Sequence, residues 1–179
     1  MSRSLLAFFL FAFAGLASAE SDLVPFRGDP KPAALALMGL DGKPSELKEH
    51  AGKVVLINFW ASWCGPCLRE MPSLQRLEQK LADTPFQLLA VNVGESRKEI
   101  LPWLKELGVD FTILLDSDGA ATRAWRVFAF PTTFVVDRDG NISHAKAGAV
   151  EWDSEENVAL LRKLAEVPRA TAGSTAQNP

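Results

Sequence analysis

The sequence predicts one α/β domain in which helices flank a central mixed β-sheet. Two continuous apolar runs, at residues 54–60 and 86–93, are typical of strands buried on both faces of a sheet. Each run is followed by a segment with apolar residues at every third or fourth position, which is the period of an amphipathic helix. Because strands and helices alternate, we expect the early strands to pair in parallel.

The N-terminal segment has the pattern of a secretory signal peptide. Arg3 is followed by an apolar run and then by the small residues Ala17, Ser18 and Ala19, which predicts cleavage after Ala19. An uncleaved membrane anchor is the alternative, although the run is shorter than the roughly 20 residues that span a bilayer. We therefore expect an exported, periplasmic protein.

The charge of the chain argues against nucleic acids and anionic membranes as partners. The 179 residues contain 19 basic and 22 acidic side chains, and the basic residues form no run. Such a chain lacks the concentrated positive charge that binds phosphate groups. A small molecule or a protein is the expected substrate.

An extended lead-in and a hairpin are predicted to precede the first buried strand. Residues 20–32 are rich in proline and charge, and residues 33–38 can form a strand. Asp41-Gly42 is a turn signal that folds the chain back on itself. Ser45 is the predicted N-cap of a short helical turn over residues 45–50.

The first long helix is predicted to run from Cys64 to about residue 82. Pro72 lies inside this helix, where it removes a hydrogen bond and should produce a kink. The predicted buried stripe consists of Leu68, Met71, Leu74, Leu77 and Leu81.

A second helix is predicted to begin after Ser96 as N-cap and to end at Gly108. A short strand at residues 111–115 and a short helix at residues 118–126 follow. The side chains of the second helix that are expected to face inward are Ile100, Leu101, Leu104 and Leu107.

The last part of the predicted domain is a hairpin followed by a helix. Pro131 opens a strand at residues 132–136, and Asp139-Gly140 turns it into a partner strand at residues 142–146. Asp153 is the predicted cap of the last helix, with Val158, Leu161 and Leu164 facing inward. The chain is thus predicted to contain a signal peptide, an extended lead-in, one domain and a disordered tail, at residues 1–19, 20–32, 33–167 and 168–179.

Both cysteines lie in the motif Trp63-Cys64-Gly65-Pro66-Cys67. Two thiols at this spacing can close and reopen a small disulfide ring, which exchanges two electrons and two protons. A ring of this size removes little chain entropy, so a purely structural disulfide is disfavoured. Zinc is disfavoured because the other candidate ligands, His50 and His144, are isolated in sequence, whereas copper(I) needs fewer thiolates and remains a rival.

The two cysteines are expected to have different roles. Cys64 lies at the predicted helix N-terminus, where the helix dipole favours a thiolate, so it is the expected nucleophile. Cys67 is one turn further along and faces inward, so it is the expected resolving thiol. Pro66 fits the first helical turn, and Trp63 flanks the sulfur either as plain packing or as a contact for the substrate.

The segment KVVLINFWASWCGPCLREMP at residues 53–72 resembles the active-site segment of the thioredoxin superfamily, and specifically of its exported TlpA/ResA-like branch. Similar matches are AVNVGES, FPTTFVVDRDGNI and GAVEWDS at residues 90–96, 130–142 and 148–154. The resemblance covers nearly the whole chain after residue 19. It implies a thioredoxin fold with an N-terminal β-hairpin and an inserted helix–strand–helix segment before a cis-proline strand.

By this resemblance, Pro131 is the cis-proline that lies against the disulfide and helps bind an extended substrate backbone. Phe130 and Thr132, on either side of it, belong to the implied substrate-binding surface, together with Trp63 and Pro66. Considered without the resemblance, a proline at the start of a strand is ordinary and most X-Pro bonds are trans.

The resemblance also implies functions for two carboxylates. Glu70 and Glu95 occupy positions that tune the cysteine pKa values or relay protons in related proteins, and burial beside a thiol would raise their own pKa values. Without the resemblance, Glu70 would be interpreted as a solvated first-turn carboxylate and Glu95 as a loop acid. Asn58 stands where ordinary cytoplasmic thioredoxins have a buried aspartate, so Glu95 is the expected replacement for that proton acceptor.

These observations predict a periplasmic thiol:disulfide oxidoreductase whose only redox group is the Cys64–Cys67 disulfide, without a separate cofactor. The Gly65-Pro66 pair, which ordinary thioredoxins share, favours a reductase of disulfides in exported proteins such as apocytochrome c. A membrane thiol-electron transporter is the implied electron donor, and a monomer is expected. A thiol oxidase or isomerase, a copper-site thiol reductase or copper chaperone, and a binding module with an inert disulfide remain as alternatives.

Overall fold

The computed structural model describes residues 21–166, so the predicted signal peptide and the predicted tail after residue 167 lie outside the described part. Eight strands form one sheet: β1 Val24–Pro25, β2 Ala36–Gly39, β3 Pro44–Glu46, β4 Val54–Trp60, β5 Phe86–Val93, β6 Thr112–Asp116, β7 Thr132–Val136 and β8 Ile142–Ala147. The described α-helices are α1 Gly65–Lys80, α2 Arg97–Leu107, α3 Ala120–Ala124 and α4 Glu155–Glu166.

The sheet is mixed, and its strand order is β1-β8-β7-β4-β5-β6-β2-β3. Strands β4, β5 and β6 are parallel neighbours, whereas β7 pairs with β4 in the antiparallel direction. This arrangement confirms the predicted mixed sheet with parallel early strands. It also places the carboxyl end of β4, from which the cysteine motif follows, near the middle of the sheet.

Strand β4 is apolar except for Asn58 because both of its faces are covered. Leu56 and Trp60 pack into the cluster that contains side chains of α1, α2 and α4. Ile57 and Phe59 point to the opposite face, where Trp125 and the helix α3 contribute to a second cluster. Every residue of β4 is buried, so a polar side chain within it must find its partners inside the protein.

Helix α1 follows the prediction closely. Cys64 is its N-cap, Pro72 lies within it, and it ends at Lys80, about two residues before the predicted end. Its inward stripe packs on the sheet through Met71, Leu74 and Leu77, whereas Leu68 is half-buried.

The N-terminal hairpin is confirmed, but the predicted cap that follows it is wrong. Ser45 pairs with Leu37 between β2 and β3, so its backbone is extended and belongs to a strand. Glu46 is the N-cap of a short 3-10 helix, Leu47–His50, and forms a capping box with Glu49. The residues just before Glu46 are not helical because their backbone N–H and C=O groups take part in strand pairing.

Both predicted ends of helix α2 are confirmed. Ser96 and Glu99 form a capping box, and Gly108 ends the helix in the left-handed conformation with φ of 63°. Leu101, however, was expected to face inward and is 41% exposed. Its neighbour Ile100 takes the buried position, and successive helix residues point about 100° apart.

One further capping prediction and one predicted helix span need correction. Ser154 caps α4, because its side-chain oxygen accepts a hydrogen bond from the Asn157 N–H at 3.3 Å. Asp153, the predicted cap, instead pairs with Arg76 of helix α1. The short helix α3 has Gly119 as its N-cap and is shorter at both ends than the predicted span of 118–126. Within the predicted lead-in, β1 pairs with β8 at the edge of the sheet.

Candidate active site

The two cysteines form a disulfide at the point where the chain leaves β4 and enters α1. Cys64 is the N-cap of α1, and its Sγ accepts a hydrogen bond from the Cys67 N–H at 3.3 Å. Cys64 is 6% exposed, whereas Cys67 is fully buried in the cluster between the sheet and the helices. The two sulfurs therefore differ in both access to solvent and access to the helix N-terminus.

Aromatic side chains lie beside the disulfide on the protein surface. Trp63 precedes Cys64 and is 67% exposed, and its ring meets that of Phe130 edge-to-face at a centroid distance of 5.6 Å. The Phe130–Pro131 peptide bond is cis, as the resemblance implied. Pro66 is exposed within the first turn of α1.

Thr132, the remaining predicted surface residue, is half-buried at the start of β7. Its hydroxyl donates to the Ala129 carbonyl at 2.8 Å, so it holds the loop that leads into the cis-proline. The loop and the first turn of α1 thus meet through the contact between Phe130 and Trp63.

Glu70 lies in a buried site on the inner side of α1, one turn after Cys67. Its carboxylate accepts hydrogen bonds from Asn58 Nδ2 at 2.8 Å, from Trp152 Nε1 at 2.9 Å and from the Val150 N–H at 3.4 Å. The neighbouring Ser73 hydroxyl donates to the Glu70 carbonyl and accepts from the Trp152 N–H. Glu70 is only 2% exposed, so its interpretation as a solvated first-turn carboxylate is wrong.

This environment shifts the titration of Glu70 into the neutral range. Burial raises the pKa of its carboxyl to about 7, against the effect of the hydrogen bonds from Trp152, Asn58 and Val150, which favour the ionised form. A carboxyl with this pKa can accept a proton from a thiol and release it again near pH 7. Since Glu70 and Cys67 are three residues apart on α1, their side chains share one helix face.

Asn58 is fully buried in the centre of β4 and links this site to the cis-proline strand. Its Nδ2 donates both to Glu70 and to the hydroxyl of Thr133, which lies two residues after Pro131. Asn58 therefore acts as a neutral donor to the carboxylate on the helix rather than as a charged group of its own.

Glu95 occupies a second polar site, beyond the carboxyl end of β5. It accepts hydrogen bonds from the Ser62 N–H and from Asn92 Nδ2, both at 2.8 Å, and from the Ser62 hydroxyl. Ser62 lies two residues before Cys64, so Glu95 fixes the segment that enters the cysteine motif. Its described contacts connect it to this segment, and Glu95 is half-buried.

Comparison with known proteins fits this geometry. A family model described as Redoxin matches residues 26–161. The chain belongs to the Redoxin family.

Two similar proteins are described as thiol-disulfide oxidoreductases. The thiol-disulfide oxidoreductase ResA of Geobacillus thermodenitrificans (strain NG80-2) is 34% identical over 114 residues, which cover 64% of this chain and 66% of the relative. ResA of Geobacillus kaustophilus (strain HTA426) is 34% identical over 120 residues, or 67% of this chain and 69% of the relative. The chain thus spans about two thirds of the length of these relatives.

A solved structure from Chlorobium tepidum, described as a thiol:disulfide interchange protein DsbE, matches with a TM-score of 0.67 and 32% identity. The match covers 74% of this chain and 94% of that one. Together with the Cys64–Cys67 disulfide, these similarities identify this Redoxin-family protein as a thiol-disulfide oxidoreductase of the ResA/DsbE type with a thioredoxin fold.

Sequence reasoning found the carboxylates of this Redoxin-family site but not the residues that hold them. Trp152 and Thr133 were given no role, although a tryptophan in the polar segment GAVEWDS is a signal for a buried side chain with a hydrogen-bond donor. Ser62 and Asn92 were also missed, because nothing local in the sequence pairs them with Glu95.

Two further properties of the described region bear on the chemistry. Among residues 21–166, no group of three or more histidine, cysteine or acidic side chains is placed to hold a metal ion. In the same part of the chain, no helix combines the length and apolarity needed to cross a membrane.

Proposed function

We propose that this protein is a periplasmic reductase of disulfides in exported proteins. The observation that carries the proposal is the asymmetry of the two sulfurs. Cys64 is the outer one and caps a helix N-terminus, whereas Cys67 is enclosed in the core. The signal-peptide pattern of residues 1–19 supports export, and the uncharged Gly65-Pro66 pair supports a reducing dithiol.

The reaction begins with the reduced protein. The Cys64 thiolate attacks one sulfur of the substrate disulfide, so that a Cys64–substrate disulfide forms and the other substrate sulfur leaves as a thiolate. The Cys67 thiolate then attacks Cys64 Sγ, which closes the protein disulfide and releases the second substrate thiolate. Two electrons pass to the substrate, and the two leaving thiolates take up protons.

Glu70 and Glu95 are proposed to serve the thiols in different ways. Glu70 has a pKa of about 7 and shares a helix face with Cys67, so it is suited to take the Cys67 proton before the resolving attack. Glu95 holds Ser62 and is suited to keep the segment before Cys64 in place and to exchange protons at the edge of the site. Pro131, Phe130, Thr132, Trp63 and Pro66 are the proposed substrate-binding residues.

The proposed substrates are disulfide-bearing exported proteins, with apocytochrome c as the example that the family resemblance suggests. The oxidised protein must be reduced again by an external dithiol, for which a membrane thiol-electron transporter is proposed. We propose that the protein acts as a monomer.

Substrate trapping tests this proposal directly. Cys67→Ser, exported with its own N-terminal segment, cannot resolve the mixed disulfide, so we expect it to accumulate covalent complexes with periplasmic proteins. These complexes should disappear on reduction and be absent from a matched Cys64→Ser variant, which lacks the nucleophile. If Cys67→Ser traps no protein, or if Cys64→Ser traps the same set, the proposed reductase role or the proposed nucleophile is wrong.

A further inference from the structure

Phe128 has the most exposed large apolar side chain among the described residues, at 91%. It lies in the loop between α3 and β7, next to Val127, which is buried. Phenylalanine gains free energy by burial, so a nearly complete exposure on a fixed loop points to a surface that is covered when the protein acts.

The loop that carries Phe128 is fixed directly before this residue. Trp125 packs against the rings of Phe59 and Phe134 in the core, with centroid distances of 6.0 and 5.2 Å. The Val127 N–H donates to the Thr122 carbonyl at 3.0 Å.

Arg126 adopts φ of 53°, a left-handed conformation that is unfavourable for a non-glycine residue. With Trp125 and Val127 both directed into the core, this turn of the backbone leaves Phe128 on the outside. The exposure of Phe128 is therefore built into the loop and does not result from a free chain end.

Phe128 lies close in the chain to residues beside the disulfide. It is two residues from Phe130, whose ring meets Trp63 next to Cys64, and three residues from the cis-proline. Three residues span at most about 10 Å, so Phe128 lies within reach of a peptide bound at Pro131. We call Trp63, Phe128 and Phe130 the aromatic rim of the active site.

Two arginines lie close in the chain to the aromatic rim or to the cysteine motif, since Arg126 is two residues before Phe128 and Arg69 is four residues after Gly65. Arg69 and Arg126 are exposed, and neither forms an ion pair with another described residue. Arg69 Nη1 lies 3.5 Å from the position that a Cβ on Gly65 would occupy, which places this guanidinium beside the first turn of α1. The nearby acid Glu95 is already engaged by Ser62 and Asn92.

We propose that Phe128 determines substrate specificity by docking an apolar side chain beside the reacting cysteine of a protein substrate, in a segment that also carries acidic residues. The partner is a protein segment because the rim continues the disulfide surface along the loop that leads to Pro131. This inference rests on the proposed function and adds the substrate class. Arg69 and Arg126 supply the preference for negative charge.

The test uses the reduced protein and two short synthetic peptides, each joined through one cysteine to 2-nitro-5-thiobenzoate as a mixed disulfide. The peptides differ only in a leucine or a serine next to the cysteine. Attack of the Cys64 thiolate on the peptide sulfur releases the coloured thiolate, so both reactions have the same leaving group. We expect the leucine peptide to react about tenfold faster in the wild-type protein, since a buried anchor of this kind is worth a factor of that order.

Variants at Phe128 then test whether this side chain causes the preference for the leucine peptide. Phe128→Ser should reduce the rate ratio of the two peptides to about one, and Phe128→Leu should keep most of it, because leucine still offers an apolar surface. Met38→Ser is the matched control, since Met38 is also exposed but lies on β2, three strands away from β4. It should leave the ratio as in the wild-type protein.

A second peptide pair tests the charge preference. With leucine beside the cysteine in both, a peptide with two aspartates should react faster than one with two lysines, and about 0.5 M salt should remove the difference because it screens exposed charges. An equal rate for these peptides at low salt would overturn the acidic part of the inference.

The outcomes separate this inference from the proposed function. If the wild-type protein reacts with both peptides at the same rate, or if Phe128→Ser keeps the preference for leucine, the docking role of Phe128 is wrong while the disulfide chemistry stands. If the wild-type protein reacts with neither peptide, the proposed reductase function fails, and the inference fails with it.

Discussion

At the scale of single residues, Glu70 is a buried carboxylate that can still gain and lose a proton near neutral pH. Three donors from two parts of the chain, Asn58 on β4 and Val150 and Trp152 before α4, meet its two oxygens and offset part of the cost of burying a charge. Burial still outweighs these donors, so the pKa of Glu70 is raised to about 7. The same carboxyl is therefore present in both protonation states near neutral pH.

The raised pKa of Glu70 predicts a loss of stability with increasing pH. Between its ordinary pKa of 4.5 and about 7, the folded protein keeps a proton that the unfolded chain has released. Unfolding then releases a proton, so the free energy of unfolding should fall as pH rises, by about 3 kcal/mol when the range has been crossed. Urea unfolding of the oxidised protein at intervals between pH 4.5 and 8 measures this change.

The neutral variant Glu70→Gln is the control for this prediction. Burial lowers the pKa values of His50 and His144, which makes stability rise with pH in an overlapping range. Both histidines are present in the two proteins, so the difference between the two stability curves isolates Glu70. A difference that does not change between pH 4.5 and 8 would contradict the assignment.

At the scale of elements, helix α1 and the segment between β8 and α4 form one unit around the active site. Trp152 is fully buried and its backbone N–H donates to Ser73 of α1 at 3.1 Å. On the outer side, Asp153 pairs with Arg76 at 2.9 Å and with Lys80 at 3.3 Å. These contacts hold the Trp152 side chain where it can donate to Glu70.

Removing the charge of Asp153 should loosen this unit. The hydrogen bond from Arg76 lowers the pKa of Asp153 to about 2, so its contribution is present above its ordinary pKa of 3.8 and is lost as pH falls towards 2. Because Arg76 is half-exposed and solvent screens the pair, we expect Asp153→Asn to lower the free energy of unfolding by about 1 kcal/mol at pH 7. Urea unfolding at pH 7 and pH 2.5 should show a smaller deficit at the lower pH, where part of the contribution has been lost.

Asp83→Asn is a suitable comparison, because Asp83 pairs with Arg162 at 3.0 Å and is far more exposed than Asp153. Its effect should be smaller than that of Asp153→Asn. An equal effect would show that the attachment of the Trp152 segment does not depend on the Asp153 pair.

The same elements show what could be predicted from the sequence. The bounds of β4 and β5 follow from continuous apolar runs, and the bounds of α2 follow from local signals at Ser96 and Gly108. Ser45 and Asp153 were predicted wrongly as helix caps. Ser45 is instead paired with strand β2, and Asp153 forms an ion pair with Arg76 of helix α1. Local capping rules do not register such competition.

At the scale of the whole molecule, the sheet brings together residues that the sequence keeps far apart. Asn58 on β4 and Trp152 before α4 both donate to Glu70, and Asn58 also donates to Thr133 on β7; Trp152 is 82 residues away from Glu70. The family resemblance pointed to Glu70 and Pro131, but no periodicity or motif predicts which donors surround them. That information is present only in the strand order, which places β7 beside β4.

The environment of the dithiol also predicts the relative stability of the two redox forms. The Cys64 Sγ has one described hydrogen-bond donor, the Cys67 N–H, and the intervening Gly65-Pro66 pair adds no charged side chain. Cys67 is fully buried in an apolar cluster, which suits an apolar disulfide better than a more polar free thiol.

We therefore expect the oxidised protein to be more stable than the reduced protein by about 1–3 kcal/mol at pH 7, where 1.4 kcal/mol corresponds to about 30 mV in the two-electron potential. The measurement is urea unfolding of the oxidised protein and of the protein kept reduced under dithiothreitol without oxygen. A Cys64→Ser, Cys67→Ser double variant should unfold at the same urea concentration with and without the reductant, which excludes an effect of dithiothreitol itself. Strongly oxidising members of the superfamily show the opposite order, because their reduced form is stabilised. A reduced form more stable than the oxidised form would thus assign this dithiol to disulfide formation and contradict the reductase role.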